Sequence, residues 1–162
     1  MKRIISLLMA VLMLCALCVP ALADASFKDG ATLSGEQVFD EKVTLKGNTT
    51  IENDASLTFN EGISFAYSRN CTLTVKNGAS VTINGDMEVG NGNSIIIEPG
   101  AEVTLNGGLY YQGDGSLEIG GKLTGRCGVD PGSASFTVSP GGIIDMEFEY
   151  EAGTRSLVNA LK

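Results

Sequence analysis

Short alternations of apolar and polar residues, separated by Asn-Gly and Pro-Gly turns, recur along most of the chain. The segments 72–75, 80–83 and 87–89 each alternate in this way within about 20 residues. An alternation with a period of two residues is typical of a strand that buries one face and exposes the other. The pattern therefore predicts groups of three short β-strands joined by tight turns.

The strand groups also repeat along the sequence. The blocks 51–60, 75–84 and 97–106 match in residue type at nearly every position, at offsets of 24 and 22 residues. A fixed period of this size is the signature of a β-solenoid, in which each repeat buries its apolar face by stacking on its neighbours. The predicted fold is all-β, a right-handed parallel β-helix of about six coils of about 22 residues, with three short strands per coil.

Stacked coils would bring equivalent positions together, because adjacent strands lie about 4.8 Å apart. The sequence accordingly places like aliphatic residues in inward columns: Leu73/Ile95/Leu117/Phe136, Val75/Ile97/Ile119/Val138, Leu57/Val81/Val103/Leu123, Phe59/Ile83/Leu105 and Ile63/Met87/Leu109.

Three aligned asparagines, Asn60, Asn84 and Asn106, each follow a strand at the same point of the repeat. Stacked asparagines can hydrogen-bond from coil to coil, which predicts a structural ladder at this corner. The alternative is that asparagine serves here only as a good turn residue.

The N-terminus has the features of an export signal. Lys2 and Arg3 precede an apolar run over residues 4–19, and Pro20-Ala21-Leu22-Ala23 supplies the small residues of a signal-peptidase site. We expect cleavage after Ala23 and a secreted, extracellular product of bacterial type. The alternative is a retained transmembrane helix, for which a run of 16 residues is short.

The predicted organisation is a signal peptide over residues 1–23, a β-solenoid over 24–148 and an acidic strand with a tail over 149–162. The less regular stretch 27–39 is expected to supply an N-terminal cap, since the terminal coil of a solenoid exposes unpaired strand edges.

Charge and composition limit the function. The mature chain would keep 9 basic and all 19 acidic residues, a net charge of −10. Such a surface disfavours nucleic acids and anionic membranes, whose binders neutralise phosphates with Lys and Arg. The chain contains no histidine, the commonest general base and metal ligand. We expect no enzyme activity, no catalytic residues and no cofactor, and no sequence motif supports a calcium site.

The mature chain would contain two cysteines, Cys71 and Cys127. The repeat places them at different corners of coils that are two apart, a separation of about 10 Å along the axis. Disulfide-bonded Cα atoms lie within about 7 Å of each other. The cysteines are therefore predicted to be unpaired, with an extracellular bridge as the alternative.

The coil period and turn residues over 43–146 make the chain similar to the pectin-lyase-like superfamily of right-handed parallel β-helices, in particular to noncatalytic, adhesin-like members. Enzymes of that superfamily bind calcium through clustered acidic side chains and use a basic catalytic residue. The resemblance extends to no catalytic motif, and Arg69, Arg126 and Arg155 are scattered.

Tyr110 is the strongest candidate for ligand contact. It should face outward, aligned with Glu88, with Tyr67 near the same edge. An exposed aromatic ring beside polar acceptors can serve as a platform for a sugar. The outward column Thr58/Thr82/Thr104/Thr124 also suggests an ice-binding array, but the adjoining outward column is not threonine.

The function expected first is that of a noncatalytic, adhesin-like or surface structural module that contacts an extracellular protein or polysaccharide surface. The alternatives are a polysaccharide-binding module that uses Tyr110 and, less favoured, a small carbohydrate-active β-helix enzyme. No transmembrane segment is expected after signal cleavage, and the sequence leaves the oligomeric state open.

Overall fold

A computed structural model describes residues 25–65 and 70–148; for Cys127 and Phe148 it describes the backbone alone. These residues form strands and turns with no helix. The strands are β1 Ser26–Phe27, β2 Ala31–Leu33, β3 Glu36–Phe39, β4 Val43–Leu45, β5 Thr49–Ile51, β6 Ser56–Phe59, β7 Ile63–Ser64, β8 Thr72–Val75, β9 Ser80–Ile83, β10 Met87–Val89, β11 Asn93–Ile97, β12 Glu102–Leu105, β13 Leu109–Tyr111, β14 Gly115–Ile119, β15 Lys122–Cys127, β16 Val129–Asp130, β17 Ser135–Val138 and β18 Ile143–Phe148.

The strands form three parallel sheets of six strands each. Sheet 1 contains β1, β4, β7, β10, β13 and β16, sheet 2 contains β2, β5, β8, β11, β14 and β17, and sheet 3 contains β3, β6, β9, β12, β15 and β18. Every third strand therefore pairs, and the chain winds through six coils, numbered here from the N-terminus. The predicted right-handed parallel β-helix with three strands per coil is confirmed. Residues that pair between successive coils are 18 positions apart in the sequence at Ser26 and Thr44, and 24 positions apart at Ile63 and Met87.

The interior is built from the predicted aliphatic columns. Ile95 pairs with both Leu73 and Leu117, and Val103 pairs with both Val81 and Leu123. Their side chains are buried, because alternate residues of each strand point into the coil. Val138 departs from the expectation: it belongs to the predicted column but is 41% exposed, since it lies in the last coil, where no further described coil covers it.

The corners between sheets 2 and 3 need a small inward residue and a left-handed backbone. Ala55, Ala79 and Ala101 are buried at this corner in successive coils. Each follows a residue with positive φ, which is Asp54 at 60°, Gly78 at 78° and Gly100 at 83°. Glycine adopts this conformation without a steric penalty, whereas Asp54 adopts it as a non-glycine residue.

The corners between sheets 1 and 2 are held by amide and carboxylate side chains. The Asp29 carboxylate accepts the backbone N–H of Asn48 at 2.8 Å, and the Asn91 carbonyl oxygen accepts the backbone N–H of Asp114 at 3.1 Å. Each bond joins one coil to the next, so these side chains satisfy backbone groups that the sheets leave unpaired.

Asn93 is a buried polar residue at the same corner. Its side chain is fully buried, its carbonyl oxygen accepts the N–H of Cys71 at 3.0 Å, and its Nδ2 donates to the carbonyl of Phe65 at 2.9 Å. Asn93 thus bonds to residues on both sides of the segment 66–69, which lies outside the described residues.

The two ends of the solenoid differ. Residues 27–39, the predicted N-terminal cap, contribute strands to all three sheets as the first coil. The Phe39 ring stacks on Phe59 at 4.8 Å and packs edge-on against Phe27 at 5.7 Å, centroid to centroid. The sixth coil ends with β18. The predicted acidic tail over 149–162 and the predicted signal peptide lie outside the described residues, within which no helix is long and apolar enough to cross a membrane.

Candidate functional site

The corner between sheets 3 and 1 has the same length in the first four coils. Three residues connect the two sheets at the end of each of these coils: 40–42, 60–62, 84–86 and 106–108. A Cβ atom at Gly62 would meet the Asp86 backbone, one at Gly85 would meet Glu61, and one at Gly107 would meet Gly85. Glycine is therefore required for the close approach of successive coils, and Gly85 and Gly107 leave a lane without side chains.

A hydrogen-bonded ladder borders one side of this lane. Asn106 donates through Nδ2 to Oδ1 of Asn84 at 2.9 Å, Asn84 donates in the same way to Asn60 at 2.9 Å, and Asn60 donates to the Asp40 carboxylate at 2.7 Å. The three asparagines predicted to form a ladder are thus joined by hydrogen bonds, and Asp40 extends the ladder by one coil. The Asp40 carboxyl oxygen accepts the first bond of the ladder, so it sets the direction in which all three amides donate.

Tyr110 lies on the opposite side of the lane. Its position in β13 faces outward, between Glu88 of β10 and Asp130 of β16 in the strand register. The ring lies over Gly108, in the space that a Cβ atom at residue 108 would occupy. Because Gly108 has no side chain, the Tyr110 ring packs directly against the backbone of the corner. The Tyr110 side chain is half-buried.

Glu88 is held by two partners. Its carboxylate accepts a hydrogen bond from Lys42 at 2.8 Å, across two coils, and a second one from the Ser64 hydroxyl at 3.1 Å. The hydrogen bond from Lys42 is the main cause that holds the pKa of Glu88 below its ordinary value, against the opposing effect of partial burial. The carboxylate beside Tyr110 is therefore ionised and fixed in position.

Asp86 adds a second carboxylate to this corner. Its Oδ1 atom accepts the backbone N–H of Gly108 at 2.9 Å. Asp86 thus fixes the backbone beneath the Tyr110 ring, and Asp130 follows Tyr110 in the next coil with an exposed side chain.

The outer face of sheet 3 presents a second regular surface. Thr58, Thr82, Thr104 and Thr124 pair in register over four coils, and the hydroxyls of Thr104 and Thr124 lie 3.1 Å apart. The asparagine ladder flanks this column on one side, because Asn60, Asn84 and Asn106 follow the same strands two residues later. The other flanking column is Ser56, Ser80, Glu102 and Lys122.

The remaining candidate residues lie elsewhere. Tyr67 lies outside the described residues, and Tyr111 is buried, with its hydroxyl donating to the carbonyl of Ser116 at 3.0 Å. Burial raises the pKa of the Tyr111 phenol far above its ordinary value. The register places Cys71 and Cys127 in coils that are two apart, as the sequence indicates, and their unpaired state stays a prediction because the Cys127 side chain is not described.

Sequence reasoning missed four residues of the corner, Asp40, Lys42, Asp86 and Gly108, and also Asp130 of the adjoining strand β16. Asp40 occupies the ladder position of the first coil, so extending the alignment of Asn60 upstream by 20 residues would have found it. Lys42 and Gly108 carry no such signal, because their contacts depend on where a lysine side chain and a tyrosine ring extend over neighbouring coils.

Comparison with protein-family models, curated proteins and solved structures finds no match. Among residues 25–65 and 70–148, no three histidine, cysteine or acidic side chains are grouped so that they could hold a metal ion.

Proposed function

We propose that this protein is a secreted, noncatalytic β-solenoid that acts outside the cell as an adhesin-like binding or surface structural module. The outer face of sheet 3 is the observation that supports this function. It presents columns of serine, threonine and asparagine side chains. Successive members of a column lie about 4.8 Å apart, one on each coil. A stack of coils of this kind offers an extended surface on a rigid frame, which is how repeat proteins commonly bind their partners.

The polar side chains of this face suit contact with another extracellular surface. Coils 2 and 3 carry the uncharged residues Ser56, Thr58, Ser80 and Thr82 on this face, whereas Glu102 and Lys122 occupy the flanking column in coils 4 and 5. Uncharged hydroxyl groups both donate and accept hydrogen bonds, and they carry a smaller desolvation cost than ions do.

Binding of the fluorescently labelled mature chain to intact bacterial cells and to isolated cell-envelope fractions tests this proposal. A double substitution Thr82→Arg/Thr104→Arg, which places two long cations in the centre of the face, should abolish binding. The matched control Thr32→Arg/Thr137→Arg changes the outer face of sheet 2 at its two ends and should bind normally. Equal binding by both double variants would contradict a role for sheet 3.

Polysaccharide binding through Tyr110 is the second candidate, favoured by the seat of the Tyr110 ring on Gly108 between two carboxylates. An aromatic ring of fixed orientation stacks on the apolar face of a pyranose, while neighbouring carboxylates accept hydrogen bonds from its hydroxyls.

Affinity electrophoresis of the mature chain in gels that contain single polysaccharides tests the second candidate, with calcium and with chelator. Retardation that is lost in Tyr110→Ala and kept in Tyr110→Phe would support it, because phenylalanine keeps the stacking surface. Uniform mobility with every polysaccharide would rule it out and leave the binding module with a protein partner.

A further inference from the structure

We propose that the corner between sheets 3 and 1 binds a neutral polysaccharide chain parallel to the solenoid axis, with Tyr110 under one sugar ring and the asparagine ladder along the sugars that follow. This proposal rests on the polysaccharide-binding function above and extends it in three respects: the ligand is uncharged, it lies along the axis, and the ladder is part of the site.

The ladder has hydrogen-bonding capacity that its own bonds do not use. An asparagine amide has two N–H donors and a carbonyl oxygen with two lone pairs. In Asn84, one donor is used by Asn60 and one lone pair by Asn106. The second donor and the second lone pair remain for a ligand, and Asn84 and Asn106 are both exposed. The ladder therefore offers a donor–acceptor pair about every 4.8 Å along the axis.

A sugar hydroxyl, which both donates and accepts, is complementary to such a pair. The lane of Gly85 and Gly107 lets a chain approach the backbone between the ladder and Tyr110, since no side chain projects from these two positions. The Tyr110 ring, seated on Gly108, closes the opposite side. The three elements thus form one continuous strip from the end of coil 2 to the start of coil 5.

The charges around the strip select for an uncharged polymer. Asp86, Glu88 and Asp130 border Tyr110, and Asp40 ends the ladder. Among the described residues, two cations lie at this surface: Lys42, which is paired with Glu88 at 2.8 Å, and Arg126, which occupies the position after Asn106 in the asparagine column, one coil further on. A polyanion such as polygalacturonate would meet like charges along the strip, whereas a neutral glucan or mannan would not.

The geometry also sets a length requirement. Asn60 and Asn106 are two coils apart, which is about 10 Å along the axis. A ligand must span this distance to bond to all three asparagines, so affinity should rise with oligosaccharide length until this span is covered and then level off.

The experiment measures binding of the mature chain to neutral oligosaccharides of increasing length, to neutral glucans and mannans, and to polygalacturonate at low ionic strength. The variants are Tyr110→Ala, Asn106→Ala and the control Thr74→Ala, which lies on the outer face of sheet 2, away from the strip. We expect neutral ligands alone to bind, Tyr110→Ala and Asn106→Ala each to weaken binding about tenfold or more, and Thr74→Ala to bind normally. Asn106→Ser keeps a donor and an acceptor at this position and should bind more tightly than Asn106→Ala. It replaces Asn106→Ala in the test if that variant folds poorly.

The outcomes separate this inference from the function on which it rests. Loss of binding in Tyr110→Ala with full binding in both Asn106 variants would overturn the ladder site and leave a tyrosine platform. Equal or tighter binding of polygalacturonate would overturn the selection for neutral ligands. Binding to cells without binding to any polysaccharide would overturn both polysaccharide proposals and leave the adhesin-like module.

Discussion

Asn84 donates the hydrogen of its side-chain amide to the carbonyl oxygen of Asn60 at 2.9 Å, across 24 residues of sequence. The same atom pair joins Asn106 to Asn84, so one bond type recurs at the same corner of neighbouring coils. These bonds tie adjacent coils together outside the sheets, at the point where the chain leaves sheet 3.

The central ladder residue should contribute most to stability, because it takes part in two of these bonds. Asn84→Ala removes both and should lower the free energy of unfolding by about 1 kcal/mol, at the low end for two hydrogen bonds because the site is exposed. Ser80→Ala changes an exposed residue of the same coil that makes no side-chain hydrogen bond with the described residues, and should change stability by less than about 0.5 kcal/mol. Urea denaturation measures the free energy of unfolding of both variants. Equal destabilisation by Asn84→Ala and Ser80→Ala would mean that the ladder hydrogen bonds do not stabilise the fold.

Asn93 should matter more than any exposed asparagine. Asn93→Ala leaves the buried N–H of Cys71 and the carbonyl of Phe65 without the side chain that bonds to them. This change should lower the free energy of unfolding by about 3 kcal/mol. Asn91→Ala removes one exposed bond at the same corner, where water can replace the side chain, and should cost less than about 1 kcal/mol. Thermal unfolding measures the stability of the two variants. Amide hydrogen exchange at Cys71 should accelerate only in Asn93→Ala. Unchanged exchange at Cys71 would contradict the assigned bond.

Asp54 is an unfavourable residue for its backbone conformation. Its φ of 60° is one that glycine adopts at the equivalent positions Gly78 and Gly100, so Asp54→Gly should raise the free energy of unfolding by about 0.5 kcal/mol. Asn53→Gly is the control, since Asn53 has no positive φ and glycine there only increases the freedom of the unfolded chain. The melting temperature should rise in the first variant and fall in the second; a fall in both would show that the Asp54 side chain outweighs the strain.

The ion pair of Lys42 and Glu88 should make stability depend on pH in a defined direction. The folded-state pKa of Glu88 is lowered, so the contribution is present above the unfolded value of about 4.3 and is lost as the pH falls through the folded value. Lys42→Met should therefore cost about 0.5 kcal/mol at pH 7, the value of a partly exposed pair, and progressively less below pH 4.

Unfolding curves between pH 3 and pH 7 check this difference between wild type and Lys42→Met. Lys28→Met, which removes an exposed lysine of the first coil, provides the matched control and should show no comparable convergence with wild type at low pH. A constant difference over the whole range would mean that Lys42 acts through packing of its aliphatic chain.

Much of the fold follows from the repeat alone. Once blocks such as 75–84 and 97–106 are aligned, the alternation within them assigns inward and outward positions, and the structure pairs Val81 with Val103 and Thr82 with Thr104 as that alignment requires. The prediction is less complete at the ends. The exposure of Val138 depends on the absence of a further described coil above it, which the local pattern does not encode.

The candidate site was only partly predictable. The outward position of Tyr110 beside Glu88 follows from counting residues in the repeat, and so does the alignment of the ladder asparagines. That the Tyr110 ring lies on Gly108, or that Glu88 is bonded to a lysine 46 residues away, does not follow, because long side chains reach across coils in directions that a column alignment leaves open.

The sequence by itself determined the coil: strand alternation, the spacing of Asn-Gly and Gly-Ala corners and the like residues at each step specify which positions stack, because a solenoid buries its core only when equivalent positions meet. The tertiary structure alone decided which outward side chains act together. It set the direction of the amide ladder from Asp40, the seat of Tyr110 on Gly108 and the bridge from Lys42 to Glu88, because these depend on distances of a few ångströms between residues on different coils.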